Sequence, residues 1–489
     1  MTRVSEEKPP LPHATGPGGS MTSTLNEERP PVKESVAQEK EVLDDWEVNS
    51  ANPRNWSLSK KWTTASVVSL YTFASPLASS MMAPGLPDVA VRYGITSPTV
   101  VALTLCIFLL SFGIGPLLLA PLSEIYGRTW VLHIGNILSI AFSFGCAFAP
   151  NTGSLLALRF LAVGSGSISD LFAPHERASA MAIYTLGPLI GPVVGPVAGG
   201  FIAQSLGIKY VFIIIGALCT VASLIGIPLL QETYAPVVRA RFSKHGDIEK
   251  SQVAESNSET DPWTYMWINL TRPVILLFRS YVCFLLSLYM AFMYGIYYLM
   301  FTTFADLFSG VYGFKPGVGG LVYLGLGVGF FVSTLFGAKT ANTIYNHLAQ
   351  KNGGVGTPEM RIPALFFGSL FVPVGLFWYG WSAQARIHWI MPIVGSGIFG
   401  FGMMASFLPI QLYLVDAFKY AASASAAASV FRSLLGFAFP LFGKQMFNAL
   451  GLGGGNSLLA GLVIALGIPF PIWLYYRGAA IRARSNLTR

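Results

Sequence analysis

Charged side chains inside long apolar stretches are the residues of this sequence whose chemistry stands out. Arg159 and Arg432 lie within such stretches, and Asp170 and Asp306 lie near the ends of two others. A charge inside a membrane span is costly, so it usually faces a cavity and has a partner. Because an arginine does not release its proton, we expect Arg159 to tune a nearby acid or to join a polar network.

Each of these residues also has a plainer structural interpretation. Arg159 could snorkel from the end of its helix to the membrane surface. Asp170 and Asp306 could cap helix ends at the interface, although either could instead be a proton site. Arg432 should be buried, or else lie near the inner end of its helix and pair with Asp416 or Glu124.

Aromatic residues are dense in one apolar stretch and comprise Tyr289, Phe292, Tyr294, Tyr297, Tyr298 and Phe301. Helical spacing places Tyr294, Tyr298 and Phe301 on one face. A cavity lined by such rings suits bulky cargo that is mostly apolar or cationic. The alternative is a set of rings that face lipid or the membrane interface.

Motifs of nucleotide hydrolysis and of hydrolytic enzymes are missing from the sequence. It has no phosphate-binding G-x-x-x-x-G-K-[ST] loop, no nucleophile elbow and no H-E-x-x-H. The cysteines are Cys106, Cys146, Cys219 and Cys283; all fall in apolar stretches, and none has metal-ligand spacing. We therefore expect neither an enzyme nor a bound metal or cofactor.

The composition predicts an all-α polytopic membrane protein. Of the 489 residues, 53% are hydrophobic and only 11% are charged, less than half the charge of an average soluble protein. Apolar runs of about 20 residues exclude a β-barrel. The net charge of +8 does not indicate nucleic-acid binding, because the basic residues mostly flank apolar runs, where they set topology.

Twelve apolar runs predict twelve spans, near residues 63–85, 99–121, 130–149, 153–172, 178–203, 209–231, 281–304, 317–339, 361–380, 387–410, 420–443 and 456–476. We number them spans one to twelve. The expected organisation is a disordered tail (1–61), a six-helix bundle (62–231), a polar central loop (232–278), a second six-helix bundle (279–476) and a tail (477–489). The distribution of Lys and Arg predicts that both termini are cytoplasmic.

Span five contains the stretch TLGPLIGPVVGPVAGG (185–200), with glycine–proline pairs Gly187–Pro188, Gly191–Pro192 and Gly195–Pro196, followed by Gly199. Glycines four residues apart fall on one face and allow a neighbouring helix to approach closely. Each proline removes a backbone donor and bends the helix. From packing alone, a structural crossing without a role in transport remains open.

The short loop between spans two and three reads APLSEIYGRTW (120–130) and holds Glu124, Gly127 and Arg128. A carboxylate there could cap a helix N-terminus and pair with an arginine. The alternative is an ordinary charged loop. Glu232, which opens the central loop, is interpreted as a solvated helix end.

Together these motifs resemble the major facilitator superfamily. The loop resembles its signature between spans two and three, with Ala120 for the first glycine, Glu124 for the aspartate and Thr129 for the last basic residue. The Gly-Pro stretch resembles the antiporter motif of the drug:proton antiporter branch, and Arg159 matches that branch's intramembrane arginine. Segments such as NPRNWS (52–57) and FRSLLGFAFPLFG (431–443) resemble fungal twelve-helix multidrug and secondary-metabolite exporters.

The resemblance implies two six-helix bundles around a central cavity. Spans one, four, seven and ten would line it, and spans two, five, eight and eleven would form the bundle interface. The Gly-Pro face would meet the other half, with 421–429 in span eleven as its counterpart. The implied function is proton-coupled export of small organic molecules across the plasma membrane by a monomer. Alternatives are a polyamine or cation exporter and a transport-inactive sensor or scaffold.

Span four departs from the family pattern. In TGSLLALRFLAVGSGSISDLFAPHER (152–177), Val163 runs almost directly into GSGSISD, where relatives have a longer section. A natural divergence or a wrongly placed exon boundary would explain the shortening. Our hypothesis is that the chain as written transports poorly or not at all.

Overall fold

The structure is a computed structural model that describes residues 49, 52–162, 177–234, 237–239, 262–483 and 488, without the side chains of 54, 177–189, 262, 265 and 338. Residues 50–489 form one compact unit. The described residues are almost entirely helical, and their only extended pairing is an isolated bridge between Phe418 and Thr488. The expected tail at 1–61 lies mostly outside the described part of the chain.

The first half contains helices α1 (Leu58–Ser80), α2 (Leu86–Tyr93), α3 (Pro98–Tyr126), α4 (Arg128–Ala147), α5 (Thr152–Leu161), α6 (Arg177–Ser205) and α7 (Ile208–Leu229). Their starts follow local chemistry. The Ser57 side chain accepts a hydrogen bond from the amide of Lys60 and caps α1. Asn151 and Ser154 form a reciprocal capping box at the start of α5.

The second half contains α8 (Pro262–Arg279), α9 (Tyr281–Gly310), α10 (Pro316–Leu321), α11 (Leu324–Val332), α12 (Ala338–Lys351), α13 (Ile362–Gln384), α14 (Ile390–Ala417), α15 (Ala421–Gly467) and α16 (Pro469–Ala483). A π-turn, Ser333–Gly337, joins α11 to α12. α15 is two consecutive helices, because Gly451 breaks it with φ 71° and ψ 169°. That break separates spans eleven and twelve.

Eight elements among the described residues are long and apolar enough to cross a membrane, and one of them, Ala421–Ala483, covers two predicted spans. Helices α1 and α6 coincide with predicted spans one and five. For predicted span four, α5 ends at Leu161 and residues 163–176 lie outside the described part.

The prediction that residues 232–278 form a loop is partly wrong, because a helix begins within this segment at Pro262. This helix, α8, has apolar side chains on the surface, among them Trp263, Trp267 and Phe278. Arg272 lies over the ring of Tyr420 at 4.4 Å, which attaches α8 to the start of α15. Residues 240–261 of the segment lie outside the described residues.

The helices run between two ends of the molecule. We call the end that carries the start of α1 and the end of α16 the terminal face, and the opposite end the distal face. At the terminal face, Arg482 pairs with Glu359. At the distal face, Tyr93 donates a hydrogen bond to the carbonyl of Ala149 at 3.3 Å, and the amide of Gly453 donates to the Gln384 side chain at 2.6 Å.

Candidate functional site

Helix α6 joins the two halves by packing on α10 and α11. A Cβ atom added to Gly320 of α10 would meet the carbonyl oxygen of Pro196 and would lie 3.3 Å from the Cα of Val197. A Cβ on Gly200 would meet the carbonyl oxygen of Pro316, and one on Gly327 would meet the side chain of Val193. Span five therefore contacts span eight backbone to backbone, at positions where only glycine fits.

The glycine face of the Gly-Pro stretch points elsewhere. A Cβ on Gly191 would lie 2.9 Å from the Cβ of Pro76, and one on Gly195 would lie 3.1 Å from the carbonyl oxygen of Leu77. A Cβ on Gly199 would meet the carbonyl of Met81. The expectation that this face meets the other half is wrong, because it packs on α1 of the same half. The side-chain surroundings of Gly187 and Pro188 lie outside the described residues.

Helix α15 pairs with α3, so it is not the counterpart of span five, and that prediction is also wrong. A Cβ on Gly113 would lie 2.9 Å from the Cβ of Ser433. A Cβ on Gly436 would lie 3.2 Å from Leu109. Small residues on both helices thus bring spans two and eleven together, while spans five and eight make the second contact between the halves.

Hydrogen bonds close the halves against each other in the distal part of the molecule. The amide of Gly317 donates to the side-chain oxygen of Gln204 at 2.9 Å. Thr99 donates to the carbonyl of Leu441 at 3.2 Å. Nearer the centre, the hydroxyls of Ser79 and Tyr298 lie 3.3 Å apart and join α1 to α9. These contacts hold the distal face shut.

The aromatic residues of α9 form a stacked cluster. Ring centroids lie 4.7 Å apart for Tyr297 and Phe301 and 5.1 Å apart for Tyr294 and Tyr298. The cluster continues to Tyr323 on the turn between α10 and α11, whose ring centroid is 4.7 Å from that of Phe301. Tyr298 and Phe301 are buried in this state, whereas Tyr294 is half-buried, so Tyr294 is the ring that remains accessible.

Arg432 lies against these rings, and among the residues that the structure describes it forms no ion pair. Its guanidinium is 4.7 Å from the ring centre of Tyr294 and 5.4 Å from that of Phe407. Within the described part of the chain, its Nε atom is buried and has no hydrogen-bond partner. The suggested pairing with Asp416 is wrong, because Asp416 accepts a hydrogen bond from Arg361 Nε at 3.2 Å.

Arg159 is buried in the first half, with 3% of its surface exposed. Its Nη1 donates to the sulfur of Met82 at 3.8 Å, and its guanidinium lies 5.6 Å from the ring centre of Phe212. Among the described residues, its Nε and Nη2 atoms have no partner. Burial on all sides contradicts the snorkelling alternative. Asp170 lies outside the described residues.

Asp306 lies near the distal end of α9 and pairs with Lys444 of α15 at 3.1 Å. Both side chains are about half exposed, at 53% and 51%. This agrees with its predicted position at a helix end. An exposed ion pair of this kind contributes little to stability, since solvent screens it.

Glu232 caps the N-terminus of α4, the helix that follows the loop between spans two and three. Its carboxylate accepts hydrogen bonds from the backbone amides of Arg128 at 3.1 Å and Thr129 at 3.3 Å, the first residues of α4. Gly127 turns the chain with φ 98°, and a Cβ there would meet Glu232. The capping carboxylate therefore comes from the end of span six, not from Glu124, and the interpretation of Glu232 as a solvated helix end is wrong.

Two further polar clusters are not predicted by the sequence. Glu359 and Arg482 form a two-pronged ion pair, with distances of 2.7 and 2.9 Å. Inside the first half, the hydroxyl of Tyr71 lies 3.2 Å from Nδ1 of His133. Glu359 and Arg361, in the loop before α13, are the sequence signal for a charged contact there, but the sequence does not name Arg482 as the partner. The described residues hold no group of His, Cys, Asp or Glu that could bind a metal ion.

Comparison with known proteins identifies the family. Residues 68–440 match the Major Facilitator Superfamily. The MFS transporter prlG of a fungal species is 43% identical, with 92% of this chain and 98% of the relative covered. The MFS transporter cpaT of Aspergillus oryzae is 42% identical, with 94% and 95% covered. The chain belongs to the Major Facilitator Superfamily.

The fold agrees with this assignment. A partially occluded inward-open structure of the xylose transporter XylE from E. coli has a TM-score of 0.62 at 14% identity, with 86% of this chain and 98% of that chain covered. The protein thus has the major facilitator fold, and it is a multi-pass membrane protein that transports small molecules.

Proposed function

We propose that this protein exports small organic molecules across the plasma membrane in exchange for protons. Relatives at 40% identity or above support the direction of transport, because two of them are named efflux pumps: vrtL of Penicillium aethiopicum and radE of Floropilus chiversii. Export against a gradient needs an energy source, and the sequence has no nucleotide-binding loop. The proton gradient is the source that the antiporter-like span five favours.

The proposed orientation has the terminal face in the cytoplasm. Basic residues concentrate in the loops of that face and in the C-terminal tail, where Arg477, Arg482 and Arg484 lie, as expected for cytoplasmic segments. With the distal face closed by Gln204 and Gly317, this state would receive cargo from the cytoplasm. Export would then require the distal contacts to open as the terminal face closes.

The observation that carries the proposal is the double packing of α6. One side of this helix meets α1 through Gly191, Gly195 and Gly199, and another meets α10 and α11 through Pro196 and Gly200. A helix packed between span one and the other half would transmit movement between them. Such an element suits a transporter that couples two cavity states to cargo and protons.

Dye efflux from a pump-deficient yeast strain tests the proposal. We expect cells expressing a version with a family-length span four to clear a fluorescent dye faster than empty cells, and a proton uncoupler to abolish the difference. Efflux that resists the uncoupler would reject proton exchange. The chain as written is tested in parallel, because its shortened span four leads to the hypothesis that it transports poorly or not at all; equal efflux by both would contradict that hypothesis.

A sensor or scaffold is the second candidate, and the short span four is the feature that favours it. It predicts correct surface expression without efflux for the chain as written and also for the version with a family-length span four. Efflux restored by the longer span would reject it.

A further inference from the structure

We propose that Arg432, at the place where the two halves meet, is the residue that binds cargo and that it selects aromatic molecules bearing a carboxylate or phenolate. This inference rests on the proposed transport of small organic molecules and names their chemical class. It is carried by the position of Arg432, by the geometry of its guanidinium and by the distribution of acidic residues around it.

Arg432 lies where the two halves meet in the middle of the molecule. It follows the start of α15 at Ala421 by about 16 Å along the helix axis, at 1.5 Å per residue. The next residue, Ser433, meets Gly113 of the first half, and Gly436, one turn further on, meets Leu109. Arg432 is itself half-buried, so it remains accessible at the point where the halves close.

The rings beside Arg432 orient its guanidinium so that it can bind a planar anion. Tyr294 and Phe407 hold the guanidinium by cation–π contacts at 4.7 and 5.4 Å. Stacked in this way, a guanidinium keeps its edge for hydrogen bonding. The fork of a guanidinium binds both oxygens of a carboxylate. The Nε of Arg432, which is buried and has no partner among the described residues in this state, would complete that fork when the side chain turns toward cargo. An aromatic cargo would extend the ring cluster while its acidic group occupies the fork.

The charge distribution favours an anion over a cation. The acidic residues of the described part are Asp88, Glu124, Glu232, Asp306, Glu359 and Asp416, and each lies at or near a helix end. None of them lies at the depth of Arg432, so the described residues leave its charge uncompensated there. A cationic molecule would be repelled in a medium of low dielectric constant. The arrangement thus argues against the polyamine alternative.

Equilibrium binding to the purified full-length protein in detergent tests the proposal with two probes of related ring structure. Fluorescein carries a carboxylate and a phenolate, and rhodamine 6G is a cation. We expect the wild type to bind fluorescein more tightly than rhodamine 6G. Arg432→Gln should weaken fluorescein binding by about tenfold or more, the effect of losing a charge-assisted hydrogen-bonded pair. Rhodamine 6G binding should stay the same or improve, and Arg432→Lys should keep part of the preference.

Lys444→Gln is the matched control, because it removes one positive charge from the same helix at the exposed distal face; it should leave both affinities unchanged. Tighter binding of rhodamine 6G by the wild type, or an equal loss of both probes in Arg432→Gln, would overturn the proposal. Asp170→Asn should leave fluorescein binding unchanged. A large gain in that variant would mean that Asp170 neutralises Arg432 and would also overturn it.

Failure of export is distinguishable from failure of this site, because binding in detergent requires no transport. Selective fluorescein binding without efflux would contradict the proposed export function but would support the proposed binding site at Arg432.

Discussion

The side chain of Gln204, at the end of α6, accepts a hydrogen bond from the backbone amide of Gly317 at 2.9 Å, at the start of α10. One half of the protein therefore caps a helix of the other half. The side-chain oxygen satisfies one of the free amides of a helix N-terminus. Because the bond exists only while the halves touch, it is a contact that the opening of the distal face must break.

Replacing Gln204 by Ala should favour the open distal face by about two- to tenfold, the effect of one net hydrogen bond. Spin labels at Leu206 and Val318, both exposed on the distal face, report the separation of the halves by pulsed electron resonance. The longer distance should gain population. Ser205→Ala is the control, because the Ser205 hydroxyl bonds within its own helix; an equal shift there would contradict the role of Gln204.

In the version with a family-length span four, Gly191→Leu should abolish efflux while leaving surface expression intact. The reason is the contact with α1, since even a Cβ would lie 2.9 Å from Pro76 and 3.0 Å from the backbone nitrogen of Leu77. Gly461→Leu is the matched control, because nothing lies within 4 Å of a Cβ there. Full efflux by Gly191→Leu would show that spans one and five separate without cost to transport.

Glu232→Ala should lower the stability of the first half by about 0.5–2 kcal/mol, the usual cost of removing a helix N-cap. The melting temperature in detergent measures this effect. Glu232→Gln should fall between Ala and wild type, because it keeps one acceptor oxygen for Arg128 and loses the other for Thr129. An unchanged melting temperature for Glu232→Ala would show that water replaces the cap.

Glu359→Gln should destabilise the protein much more than Asp306→Asn. Glu359 pairs with Arg482 with side chains only 8% and 16% exposed, whereas Asp306 and Lys444 are half exposed. Breaking a buried pair leaves the other charge without compensation and costs about 3–5 kcal/mol, against about 0–1 kcal/mol at the surface. The melting temperatures of the two variants test this prediction, and an equal decrease in melting temperature for both would contradict it.

In the version with a family-length span four, Arg159→Met should preserve or raise the melting temperature while efflux is lost. The buried guanidinium has two nitrogen atoms without partners among the described residues, so its removal relieves a desolvation penalty. A residue kept for stability would behave in the opposite way. Arg159→Lys serves as the charge-preserving comparison. A large loss of stability in Arg159→Met, with efflux lowered only in proportion, would make Arg159 structural.

Properties that one helix carries by itself were predictable from the sequence. Apolar length gave spans such as Tyr281–Gly310, because the membrane requires a fixed run of apolar residues. The spacing of Gly191, Gly195 and Gly199 predicted a face for close approach, and that face is packed closely. Asp306 was expected at a helix end, where it is found. The family resemblance, carried by the loop and the Gly-Pro stretch, was confirmed.

The partner of each feature was decided by the tertiary structure. The glycine face meets Pro76, about 115 residues earlier, and Glu232 caps a helix that begins about 104 residues before it. Asp416 pairs with Arg361, and Arg432 stacks on Tyr294. A glycine allows any backbone to approach closely, and a carboxylate can accept a hydrogen bond from any amide or arginine. The residue type therefore does not determine which partner is contacted. The way the helices pack around one another selects them.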